Sequence, residues 1–207
     1  MQATKIRLSP EEKALVLDPA WILTKRSVME KAGALLGGVA ERYQALMGQY
    51  GTSAGPLGPI AVRFPKLSRG ENYRGLPYLI LDYPAVFDKE NVFAIRTMFW
   101  WGHYFSITLH LKGVYRERYL PALLGNIPAT GEWHVAVSED EWTHAVEEGT
   151  YVRWDGAGGV RGGHYPGLPY FKIASVLPLV HWDGAADWLE DRFGEVVGWL
   201  CGDGGRG

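Results

Sequence analysis

Cysteine is almost absent from this sequence. A single Cys201 among 207 residues rules out an intrachain disulfide, and its place near the end of an apolar helical stretch reads as packing rather than as a reactive thiol. A reducing, cytoplasmic setting is the expectation. A basic excess is missing as well. The balance of 21 Lys and Arg against 23 Asp and Glu, a net charge of -2, lacks the phosphate-directed charge of a nucleic-acid binder. No stretch approaches the ~18 uncharged apolar residues of a membrane span, and the opening MQATKIRLSP has no continuous apolar segment. Metal-ligand spacings are also lacking. Six histidines include no H-E-x-x-H and no H-x-H, and His103 and His110, seven apart on one strand, point to opposite faces. His134 and His144 meet only if the fold brings them together. Neither a metal nor a cofactor is expected.

What is present is an ordinary globular composition, 47% hydrophobic and 21% charged, sufficient for a core. One α+β domain is expected over 1–202, followed by a flexible tail at 203–207. Ser9, Pro10 and Glu12 form a capping-box start for a short helix ending near Leu17. From Val28, apolar residues through Ala32, Leu36, Val39, Tyr43 and Met47 recur every three or four positions, one face of a long helix. Gly33, Gly37 and Gly38 weaken it by about 1 kcal/mol each, so a close neighbour or a bend is expected there. After the Gly- and Pro-rich loop 51–59, strand-like runs cover 77–83, 92–99, 103–112, 132–137, 150–154 and 170–177. Helical segments lie near 114–124 and from Asp183 onward. The expected fold is a mainly antiparallel sheet of five to six strands, with the long N-terminal helix and the C-terminal helix packed on one face.

The register around Trp100, Trp101 and Gly102 can be tested against side-chain alternation. A two-residue loop scatters polar residues over both faces, which is costly. A three-residue loop with left-handed Gly102 pairs Phe99 with His103 and Arg96 with Ser106. Phe93, Ile95, Thr97, Phe99, Phe105, Ile107, Leu109 and Leu111 then form a core face. Arg96, Met98, Tyr104, Ser106, Thr108, His110 and Lys112 form the other, either a solvated surface or the floor of a site. The Trp100–Trp101 pair at the tip covers the core edge, lines a pocket or joins two chains as a homo-oligomer.

RGENYRGLPY at 69–78 and RGGHYPGLPY at 161–170 agree at seven of ten positions. Their flanks do not continue the match, so this is a local motif rather than a domain repeat. Its Arg and Tyr residues offer a cationic fork and a stacking surface for an anion; the other reading is a turn leading into a strand. The glycine-dense stretch 156–163 precedes a strand rather than a helix, which argues for a hairpin connection over a phosphate cradle.

Two functional classes follow. One is a non-catalytic binding or interaction domain with an aromatic and arginine-lined surface for a small or anionic ligand, formed by Arg96, Tyr104, Arg69, Tyr73, Arg161 and Tyr165. The other is a cofactor-independent enzyme in which His110, beside Ser106, is general acid or base and Arg96 binds an anionic substrate, with Asp82 the nearest carboxylate. The partner is a small molecule or another protein.

Overall fold

A computed structural model describes residues 6–50, 57–156 and 167–202. Helix α1 (Pro10–Leu17) has the expected capping box: the Ser9 amide donates to Glu12 Oε2, and the Glu12 amide donates to Ser9 Oγ. Helix α2 (Ala20–Tyr50) starts eight residues earlier than the apolar periodicity suggests. Its apolar stripe becomes buried only from Met29 onward, through Ala32, Leu36, Val39, Tyr43 and Met47. The first turns therefore reach past the core. An added Cβ at Gly33, Gly37 or Gly38 would meet nothing within 4 Å, so close packing does not explain these glycines. A short helix α3 (Gly58–Ala61) then leads into the sheet.

The described residues form one antiparallel sheet of seven strands, one or two more than the sequence suggests: β1 (Lys66–Tyr73), β2 (Leu76–Phe87), β3 (Val92–Trp100), β4 (Tyr104–Lys112), β5 (Trp133–Ala136), β6 (Tyr151–Arg153) and β7 (Tyr170–Pro178). Their order is β1-β2-β3-β4-β7-β5-β6. The unforeseen strand is β1. It lies at an edge with mostly exposed side chains, so it carries no apolar alternation. Its junction with β2 shows what the first copy of the repeated motif does. Arg74 and Gly75 take positive φ of 51° and 85° in a two-residue hairpin turn, and Asn72 Oδ1 accepts the Gly75 amide. Most of the second copy lies outside the described residues.

The β3–β4 hairpin has a three-residue loop with Gly102 at φ 77°, but the register differs from expectation. Phe99 pairs with Phe105 and Arg96 with Thr108, and Trp100 and Tyr104 close the hairpin. The loop is Trp101-Gly102-His103, with the His103 ring stacked 3.6 Å from Trp100. A shift of two positions preserves the faces. Helix α4 (Val114–Asn126), a 3-10 turn (Leu179–Gly184) and helix α5 (Ala185–Cys201) complete the elements of the described residues; the turn occupies the predicted start of the last helix. Helices α2, α4 and α5 cover the apolar face in one large core. Thr97, a polar residue on that face, pairs with the Tyr43 hydroxyl at 3.0 Å, and Tyr43 stacks on Phe193 at 3.8 Å. None of the described helices is long and apolar enough to cross a membrane.

Candidate functional site

The second face of the sheet carries Asp82, Arg96, Ser106, Thr108, His110 and Lys172, and it is covered rather than solvated. Residues 137–150 run across it as a strap. The Tyr73 hydroxyl accepts the amides of His144 and Ala145 at 2.8 and 2.9 Å, and the Tyr104 hydroxyl accepts that of Val146 at 2.7 Å. Two side chains from the sheet thus hold three successive backbone donors. On the acceptor side, Lys172 donates to the carbonyls of Glu141 and Thr143 at 2.8 and 2.7 Å, and the Tyr170 hydroxyl donates to that of Ser138. Ala145 seals one end against Ile80, Met98 and Trp100.

Beneath the strap lies an ionic network. Arg96 and Asp82 are direct cross-strand partners, and the guanidinium donates to both carboxylate oxygens at 2.7 and 2.8 Å, the bidentate geometry that suits arginine. Arg96 Nη1 also lies 3.0 Å from His144 Nε2. Arginine has no acceptor, so this ring nitrogen accepts and His144 is neutral. Burial, followed by the charges of Lys172 and Arg96, holds its pKa down at about 3. Lys112 donates to Glu141 Oε1 at 2.6 Å, and Glu141 Oε2 is 3.5 Å from His110 Nε2. Burial, with the charge of Lys172 next in effect, pulls the His110 pKa down to about 2. Lys172 itself, 1% exposed, is lowered to about 7 by burial first and then by Arg96.

Arg96, Tyr104, Ser106 and His110 share this face as the alternation implied, and Tyr73 joins them through the strap. Arg69 does not. It stands on the exposed edge strand, bonded to Glu71 at 3.2 and 2.9 Å. Arg161 and Tyr165 lie outside the described residues. Trp100 is buried at 2% exposure, so of the tryptophan pair only Trp101 is partly open. Sequence reasoning missed Glu141 and Lys172, and weighed His144 only as a metal ligand. Lys172 was within reach, since alternation along β7 puts it on the face of Tyr170 and Ala174, whereas the strap residues have no period. Among the described residues, no group of three or more His, Cys, Asp or Glu side chains could hold a metal ion.

The network meets a groove at its Asp82 end. This recess of about 540 Å³ is lined by Val62, Arg63, Phe64, Lys66, Asp82 and Phe87, among others. Lys66 is the cross-strand partner of Asp82, which makes Lys66, Asp82 and Arg96 a row across three strands. Phe64 is 85% exposed, and the Arg96 guanidinium lies 5.5 Å from the centre of the Phe87 ring. Neither Arg63 nor Lys66 has an ion-pair partner among the described residues. No protein family, no curated protein and no solved structure matches this chain.

Proposed function

We propose that this chain is a non-catalytic binding domain for a small anionic ligand with an aromatic or apolar part, held in the groove at the Asp82 end of the network. The observation that carries this reading is the groove's chemistry: two cations, Arg63 and Lys66, that have no ion-pair partner among the described residues, beside the exposed rings of Phe64 and Phe87. A concave, largely apolar recess with a few convergent charges is the usual form of a small-molecule site, and Val62, Phe64 and Phe87, all exposed, form an apolar patch beside these cations. Behind the groove, Arg96 is held by Asp82, with its guanidinium 5.5 Å from the centre of the Phe87 ring, while Tyr73 and Tyr104 hold the strap.

The test is a thermal-shift and calorimetry series with phenyl phosphate, salicylate and, as a neutral control, benzamide. Stabilisation by the anionic compounds that disappears in Lys66→Ala and Arg63→Ala is expected. If no anionic aromatic compound shifts the transition, or the shift survives both substitutions, the proposal fails.

The enzyme reading draws on a different observation, the convergence of His110, His144 and Lys172 with pKa values far from their ordinary ones, a pattern found at catalytic sites and in structural networks alike. It is the weaker reading. The rings of Trp142 and Tyr170 lie 5.5 and 5.6 Å from the His110 ring, and Arg96 is already engaged by Asp82, so substrate would have to displace the strap.

A further inference from the structure

Helix α1 and the first turns of α2 form an apolar corner that buries nothing. No residue of α1 is buried, and Leu15, Val16, Leu17, Trp21, Ile22 and Leu23 are all exposed, Val16 and Leu17 at 70% and 71%. An eight-residue helix is marginal by itself in water. This one is nevertheless fixed at both ends: by its capping box, by Asp18 Oδ1 accepting the Ala20 amide at 2.8 Å, and by Trp21 Nε1 donating to the Leu15 carbonyl at 3.0 Å. The corner is a shaped projection. Beside it lies a groove of about 520 Å³ with walls formed by Trp21, Thr24, Glu71, Leu76, Pro77 and Trp101. Trp21 belongs to both. Apart from Trp21, the exposed apolar residues of the projection do not line the groove of their own chain.

Charge indicates what covers this surface. Between residues 6 and 31, Arg7, Lys13, Lys25, Arg26 and Lys31 stand against Glu11, Glu12, Asp18 and Glu30, a near balance. An amphipathic helix that binds anionic membranes carries a cationic polar face instead. The groove wall is likewise mixed, with Lys25 and Glu71 paired at 2.6 Å. A patch that presents a projection and a recess side by side, with both signs of charge, is self-complementary, the property a two-fold contact between identical chains requires. We infer that the occupant is a second copy of this chain. The corner of one protomer seats in the groove of its partner and the partner's corner seats in return, covering Val16 and Leu17. Trp101 contributes a wall of the contact, and the buried Trp100 does not.

Light scattering coupled to sizing chromatography, over a dilution series of the full chain, tests this. A two-chain particle is expected for the wild type. Val16→Glu spoils the projection and Thr24→Arg spoils the groove, both at exposed positions, so each alone should run as one chain with an unchanged thermal transition. Mixed in equal amounts they should form a two-chain particle again, because the intact projection of one meets the intact groove of the other. A wild type that is one chain at every concentration overturns the inference, as do dimers that survive both substitutions or variants that fail to pair on mixing. A one-chain wild type that pellets with phosphatidylserine vesicles would put a membrane in place of the second copy.

Discussion

Asp82 and Arg96 face each other on β2 and β3, joined by two hydrogen bonds of 2.7 and 2.8 Å, with side chains only 7% and 16% exposed. Such a pair is expensive to break from one side. Losing either partner strands a buried charge, at about 3–5 kcal/mol, whereas exchanging both for apolar groups is often close to neutral. Arg96→Met and Asp82→Leu should each lower the stability in urea by that amount, and the double variant should recover most of it. Additive losses in the double-mutant cycle would mean that the two residues are not coupled.

His144 makes stability sensitive to acid. Its folded pKa, about 3, lies below the ordinary 6.5, so the unfolded chain binds a proton there that the native chain refuses. Stability from this residue is therefore fully present above pH 6.5 and is lost as the pH falls toward 3. Gln in its place does not titrate and still offers an oxygen to Arg96. His144→Gln should lose less of its thermal stability between pH 6.5 and 3 than the wild type does. Parallel curves would show that His144 is protonated without cost.

The fold was legible wherever one face of an element is buried. Alternation separated Phe93, Ile95 and Phe99 from Arg96 and Met98 because a half-buried strand repeats every two residues. The same rule is blind to a shift of two, which is why Phe99 pairs with Phe105 rather than His103. Strand β1 escaped because KLSRGENY lies exposed at the sheet edge. Of the site, Arg96, Ser106 and His110 were readable as one face, but not what covers them. The strap is held largely through backbone amides and carbonyls, which are the same for every residue type and leave no trace in composition.

Two kinds of glycine should respond oppositely to alanine. Gly38, exposed within α2, has nothing within 4 Å of an added Cβ, so Gly38→Ala should stabilise by about 1 kcal/mol through helix propensity and a less flexible unfolded chain. Gly113 sits at φ 59°, ψ -135°, and its Cβ would lie 2.6 Å from the Glu90 carbonyl and against the Asn91 amide oxygen, which accepts the Val114 amide at 2.9 Å. Gly113→Ala should cost about 2–4 kcal/mol. Chemical denaturation of both measures the contrast, and a neutral Gly113→Ala would contradict the turn geometry.

The strap supplies the last prediction, because its attachment rests on two hydroxyls. Tyr73 is partly buried against Trp100, with ring centroids 5.0 Å apart, and Tyr104 packs against the same ring at 5.6 Å. Removing either hydroxyl should therefore leave the packing in place and strand only the amides it accepts. Tyr73→Phe frees the amides of His144 and Ala145, and Tyr104→Phe frees that of Val146. Each should cost about 1–2 kcal/mol and speed hydrogen exchange at those amides, while exchange in β3 and β4 stays slow. The loss should be local because the Lys172 bonds to the Glu141 and Thr143 carbonyls remain in place. Unchanged exchange at 144–146 in the double variant Tyr73→Phe/Tyr104→Phe would show that burial alone, and not these hydroxyls, keeps the strap on the sheet.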